Sequence, residues 1–179
     1  TRLGAVRTFA KHHQATDPAT EVPPADVYPR RVRRVEPFIY TDAQIRALIT
    51  AADRADPPLK AATYRTLIGL LVVTGMRVGE VIGLDRTDFD PDSGVLTICD
   101  TKFGKSRQVP LHTSTADALA AYIRDRDATL GTAQGGALFV STAGTRLFYS
   151  NVHLTFQRLV RAAGIVARSE RCRPRIHDY

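Results

Sequence analysis

Cysteine is nearly absent from this sequence, which holds two, Cys99 and Cys172. They make no CxxC pair and no zinc spacing, so they read as reduced thiols of a cytoplasmic protein and not as a disulfide framework. The five histidines are scattered, His12 and His13 apart, and mark no metal site; neither metal nor cofactor is expected. Long apolar runs are missing as well. The longest, Ile68 to Val73, is interrupted by Gly69 and falls far short of the roughly 20 residues that cross a bilayer. No segment has the basic, apolar and small-residue layout of a secretory leader, although a chain that begins at Thr1 leaves room for an upstream piece. No membrane partner is expected. Acidic residues are outnumbered: 18 Asp and Glu stand against 25 Lys and Arg, a net charge of +7. That surplus favours a polyanionic partner, and alone it is weak evidence for one. What the chain has is apolar substance. It is 44% hydrophobic over 179 residues, enough for one ordinary domain with a core and a short appendage.

Residues 1–14 read as the last turns of a helix, with Leu3, Val6, Phe9 and Ala10 on one face, and thus as the end of an N-terminal domain. Residues 15–40 form a linker in which Pro18, Pro23, Pro24, Pro29 and Pro37 enforce extension. Its basic run, Arg30, Arg31, Arg33 and Arg34, has two readings: a solvated linker, or a strap along phosphates. A compact domain then spans residues 41–179. Thr41 with Gln44 makes a capping box, and Tyr40 with Ile45 a hydrophobic staple, for a helix to about Ala52 that buries Ile45, Leu48 and Ile49. A second helix is predicted from about Leu59 to Thr74, stopped by Gly75 in the left-handed conformation. A short third runs from about Arg77 to Leu84. The turn Asp90-Pro91-Asp92-Ser93-Gly94 leads into strands Val95–Cys99 and Arg107–Leu111, joined by a tight loop. Ser114 is expected to cap a helix to about Arg126. A short strand over Ala137–Val140, a helix over Ser150–Ala163 closed by Gly164, and a helix just beginning after Pro174 complete the order. The fold class is α+β, mainly helical, a helical bundle with a small antiparallel sheet.

Three segments carry candidate chemistry. In Thr74-Gly75-Met76-Arg77-Val78-Gly79-Glu80 an apolar helix ends in glycine and an arginine opens the next helix. Arg77 is either an exposed arginine in a place where the helix dipole disfavours a cation, or a guanidinium that converges with backbone N–H groups on one phosphate. Glu80, about one turn on, either holds that guanidinium or caps the helix. In Thr101-Lys102-Phe103-Gly104-Lys105-Ser106-Arg107, the basic hairpin tip serves solubility, or Lys102, Lys105 and Arg107 reach into a DNA groove. A lysine on such a turn can also protonate a leaving oxygen. In Arg173-Pro174-Arg175-Ile176-His177-Asp178-Tyr179, His177 is structural or solvated, or its basic flanks, Arg175 included, bring it to a phosphate.

In this order and spacing the segments resemble the tyrosine recombinase (phage integrase) family. Leu70 to Leu84 looks like its first arginine box, Asp88-Phe89-Asp90 like the acidic turn that follows, Thr101 to Leu111 like the hairpin bearing its catalytic lysine, and His177-Asp178-Tyr179 like the start of its His-x-x-Arg box. The resemblance covers Thr41 to Tyr179, and residues 1–14 are similar to the end of the family's core-binding domain. It implies Arg77, Lys102 and His177 as catalytic residues, the lysine being the first of the pair. It also implies attack of a tyrosine on a DNA phosphodiester, giving a 3′-phosphotyrosyl link and a free 5′-hydroxyl, without ATP or metal. Double-stranded DNA is the implied partner, with a tetramer assembled on two sites. The sequence departs from the pattern at its end. The second arginine belongs one position after Tyr179, and the nucleophile some tens of residues later, so Tyr179 is not assigned as the nucleophile. Tyr122 and Tyr149 fall in the wrong order and read as packing residues. The chain as given is therefore expected to bind DNA without cleaving it. The alternatives are a non-catalytic DNA-binding fragment or decayed integrase and, further off, a type IB topoisomerase.

Overall fold

The computed structural model of the chain describes residues 2–24, 36–101, 105–131 and 136–178. Two compact units divide it, Thr1–Val35 and Glu36–Tyr179. In the first, helix α1 (Arg2–His13) is followed by a turn in which Asp17 accepts the Ala19 N–H and His13 pairs with the Thr20 hydroxyl. Of its apolar face Ala10 is buried, while Val6 and Phe9 stay exposed.

The second unit is α+β and mainly helical, as the sequence predicts. Helix α2 (Asp42–Asp53) opens on the expected capping box: Thr41 Oγ1 accepts the Gln44 N–H, and Gln44 Oε1 accepts the Thr41 N–H. Tyr40 is buried ahead of it, and Ile45 packs on the core. Helix α3 (Pro58–Thr74) starts with proline in its first turn, where a missing N–H is harmless. It buries residues around most of its circumference, Leu59, Tyr64, Leu67, Ile68, Leu70 and Leu71 among them, which makes it the central helix, packed between α2 and α5 (Thr113–Leu130). Gly75 ends α3 with φ +61°. Helix α4 (Val78–Gly83) follows at once; Arg77 and Leu84, expected inside it, are its caps.

A 3-10 turn (Arg86–Asp88) leads into a three-stranded antiparallel sheet, β1 (Phe89–Asp90), β2 (Val95–Thr101) and β3 (Lys105–Pro110), in the order β1-β2-β3. The expected turn is present, with Asp90 accepting from the Asp92 and Ser93 N–H groups and Gly94 at positive φ. The register pairs Leu96 with Val109 and Ile98 with Arg107. Leu96 and Ile98 are buried, so their cross-strand partners share the core-facing side of the sheet. Helix α5 corrects one cap: His112, not Ser114, is the N-cap, its Nδ1 accepting the Ser114 N–H. Tyr122 packs as expected. It is fully buried, stacked on Phe139 at 5.2 Å, with its hydroxyl near Thr63 and the 138–140 backbone. In place of a strand, residues 137–140 make two isolated bridges, Asp85 to Ala137 and Val140 to Arg146. Helix α6 (Tyr149–Ala162) runs nearly as expected, with Tyr149 half-exposed and stacked over His153. After Pro174 the chain makes a turn at 176–177 instead of starting a helix.

Two features fix α4, the element on which Arg77 stands. At its start, Gly75 lets the chain reverse out of α3. At its end, one Arg146 nitrogen donates to the carbonyls of Ile82, Gly83 and Leu84 at 2.7–3.0 Å, and the other pairs with Asp85. A six-residue helix is too short to hold itself, and the Ile82 and Gly83 carbonyls are acceptors of the kind that a helix end leaves open. No atom lies within 4 Å of where a Cβ on Gly75 would sit, so Gly75→Ala should cost the backbone strain alone, about 1–2 kcal/mol, and Gly75→Asn less. Urea midpoints of the two variants check this; an unchanged midpoint for the alanine variant would contradict it.

Candidate functional site

The site is built around a carboxylate. Arg77 precedes α4 in extended conformation and Glu80 sits one turn into the helix. Glu80 Oε2 accepts the Arg77 backbone N–H at 2.9 Å and Oε1 accepts an Arg77 guanidinium N–H at 2.9 Å. Across a gap of 27 positions, Arg107 of β3 closes on the same carboxylate with both terminal nitrogens, at 3.2 and 2.8 Å. Pairing with Ile98 is what aims Arg107 to that side of the sheet. The Glu80 side chain is 10% exposed, whereas that of Arg77 is 71% exposed. The acid is thus withdrawn from water, and the arginine it holds projects into it.

The electrostatics follow. Hydrogen bonds from Arg107, then from the Arg77 backbone and guanidinium, hold the Glu80 carboxyl down at about 2 against an opposing push from burial. The same pairing pushes the Arg107 guanidinium up. Both of the sequence's alternatives for Glu80 are realised together: it caps α4 and it grips Arg77. The bidentate bond from Arg107 is the stronger kind, two parallel charge-assisted N–H donors on one carboxylate. It makes Arg107 an anchor for Glu80, a duty that the sequence reading, which gave Arg107 to DNA, did not contain. With one terminal nitrogen on Glu80 and most of its surface in solvent, Arg77 keeps donors for an anion placed beyond the helix start.

His177 and Arg175 belong to a second cluster, on the turn that ends the described chain. His177 is exposed and Arg175 half-buried. This segment is bonded to residues 37–40: Asp178 accepts the Phe38 N–H, the Arg175 carbonyl accepts the Tyr40 hydroxyl, and the Cys172 thiol faces the Pro37 carbonyl. Lys102, the linker arginines Arg30, Arg31, Arg33 and Arg34, and Tyr179 lie outside the described residues; of Lys105 the pairing with Thr101 is described. Sequence reasoning missed Arg146, and it gave Tyr40 as a hydrophobic staple without its bond to the Arg175 carbonyl; both have partners distant in the chain that leave no local pattern.

Residues 39–178 match the Phage integrase family. The chain belongs to that family of tyrosine recombinases. It is 41% identical over 186 residues to the integrase/recombinase y4rB of Sinorhizobium fredii (strain NBRC 101917 / NGR234), an alignment covering 99% of this chain and 59% of y4rB. It is 35% identical over 135 residues to the tyrosine recombinase XerD of Ralstonia nicotianae, covering 75% of this chain and 42% of XerD. The chain thus spans about half the length of the curated relatives it matches. Among solved structures it resembles a lambda integrase dimer bound to a COC' core site, with TM-score 0.69 and 22% identity over 98% of this chain and 47% of that one. The XerA recombinase gives TM-score 0.63 and 24% identity over 98% of this chain and 57% of that one. At those identities the likeness speaks to the fold of a phage integrase catalytic domain.

Because Glu80 has a lowered pKa in the folded chain, it stabilises the fold above the ordinary carboxyl value, and that stability is lost as pH falls through about 2. Glu80→Gln should therefore lower stability at pH 7 by about 2 kcal/mol, a figure discounted because both guanidinium partners stay exposed. Urea denaturation at stepped pH should show the gap between variant and parent shrinking to less than half by about pH 3. A gap that is the same at both pH values would contradict the ion-pair account.

Proposed function

We propose that this chain binds double-stranded DNA and contributes Arg77, Lys102 and His177 to strand cleavage and rejoining at a specific site. The observation that carries the reading is Arg77: an arginine gripped from behind by a largely covered carboxylate and presented to solvent at a helix start, within a phage integrase fold. A guanidinium so held is preorganised for the non-bridging oxygens of a phosphate, where charge gathers in phosphoryl transfer. In the proposed reaction a tyrosine oxygen attacks the phosphorus, the bond to the 5′-oxygen breaks, and Lys102 protonates that leaving oxygen. A 5′-hydroxyl from the partner strand reverses these steps, so the phosphate ester is conserved and no ATP or metal is consumed. His177 donates a hydrogen bond to the phosphate or assists the proton transfer.

The 179 residues hold neither the second arginine nor the tyrosine at the family's positions, so the chain by itself should bind DNA and leave it uncut. In a longer protein the same residues would serve recombination or integration, with four protomers on two DNA sites, in the cytoplasm. Residues 1–14 would then close a core-binding domain and residues 15–40 would link it to the catalytic domain. Arg30, Arg31, Arg33, Arg34, Lys105 and Arg175 would meet phosphates, together with whatever reach Arg107 retains from Glu80. No helix of the described residues is long and apolar enough to cross a membrane.

Binding to a fluorescent duplex should weaken steeply with salt, since each phosphate contact releases a counterion and contributes about −0.9 to the slope of log affinity on log salt. Reversing Arg30, Arg31, Arg33 and Arg34 to Glu should lower both affinity and slope. Affinity that is flat between low and physiological salt would overturn the backbone-binding reading. A nicked suicide substrate tests the chemistry. The 179-residue chain should give no denaturant-resistant adduct, and an adduct abolished by Tyr179→Phe would make Tyr179 the nucleophile after all.

A further inference from the structure

The segment Pro37-Phe38-Ile39-Tyr40 is bonded at each of its four residues, and the long-range polar partners named here lie between Arg168 and Asp178. Asp178 Oδ2 accepts the Phe38 N–H at 3.1 Å, and the Tyr40 hydroxyl donates to the Arg175 carbonyl at 2.9 Å. An Arg168 nitrogen donates to the Ile39 carbonyl at 2.8 Å while its guanidinium carbon lies 4.7 Å from the centre of the Phe38 ring. The Cys172 thiol points at the Pro37 carbonyl at 3.7 Å. Phe38, Cys172 and Ile176 are essentially fully buried between these bonds, and Tyr40 nearly so.

His177 stands inside this clamp and is not part of it. The residue after it and the carbonyl two residues before it are both tied to residues 38–40, Ile176 beside it is sunk in the core, and its own side chain is exposed. A turn of that size, with no helix or strand to stiffen it, has a fixed direction when both flanks are fastened. Burial, and secondarily the Asp178 charge, push the Tyr40 phenol up, so it stays a neutral donor to the carbonyl. We infer that Phe38 and Tyr40 position His177, acting through Asp178 and the Arg175 carbonyl, and that the direction of the imidazole therefore depends on the path of the chain just after the basic linker. The inference rests on the proposed role of His177 at a DNA phosphate, and it names residues that touch no DNA themselves.

The test separates the clamp from that role. In the DNA-free 179-residue chain, Tyr40→Phe removes the hydroxyl with little change of shape, and Asp178→Ala removes the acceptor for the Phe38 N–H. Both should increase fast backbone motion of His177 in 15N relaxation, and Asp178→Ala should speed exchange of the Phe38 amide about tenfold or more. Relaxation at Leu67 and Val81, buried on α3 and α4, should stay as in the parent. Asp178→Glu should restore His177 towards the parent value. A uniform rise across the chain would show a merely structural role, and unchanged relaxation of His177 in both variants would remove the clamp; either result overturns the inference. Duplex binding by fluorescence anisotropy is measured on the same samples. Its loss in the parent chain would remove the DNA reading while leaving the relaxation result standing.

Discussion

A carboxylate that is nine-tenths withdrawn from water needs partners, and Glu80 has them from two directions. The arrangement of the candidate site follows from that requirement. Arg77 answers from its own helix start and Arg107 from a strand 27 positions later. The helical layer and the sheet are therefore joined at the point where the candidate phosphate ligand leaves the surface. The cation gains direction from the acid, and the acid gains tolerance of burial from the cations. An exposed arginine without that acid would sample many rotamers, and ordering it on a phosphate would oppose binding by the entropy lost.

Other contacts serve this one at a distance. Arg146 closes the open carbonyls of α4, and Gly75 sets the angle at which α4 leaves α3. The hairpin register puts Arg107 on the core-facing side with Ile98. The segment at 37–40 does comparable work at the other candidate residue, His177, by fastening its neighbours. In both places the candidate side chain is exposed, and the groups that hold it or its neighbours are half-buried or buried.

The elements that could be read from sequence are those decided locally. The Thr41 and Gln44 box, the left-handed Gly75 and the Asp90–Gly94 turn each rest on residues within a few positions of one another. Ser114 was misread because serine is the commoner cap, and an imidazole nitrogen two residues earlier performed the same acceptance. β1 has two residues, too few to show alternation. The residues 137–140 look strand-like because they are buried and apolar, yet their backbone pairs only at isolated points. Arg77 and Glu80 were legible as a candidate pair by their spacing. The grip of Arg107 on Glu80, of Arg146 on α4 and of Asp178 on Phe38, this last 140 positions apart, was not, because no sequence window contains both partners.

The central claim is that Glu80 acts on DNA through Arg77, and a double-mutant cycle on duplex affinity tests it directly. Glu80→Gln deletes a negative charge, which by charge alone would tighten binding to a polyanion. If Glu80 holds Arg77 for a phosphate, Glu80→Gln should instead weaken binding in the parent chain. In an Arg77→Ala background it should do nothing or tighten binding, giving a coupling of about 0.5 kcal/mol or more at fixed salt. Additive effects, or tighter binding by Glu80→Gln in both backgrounds, would contradict the account.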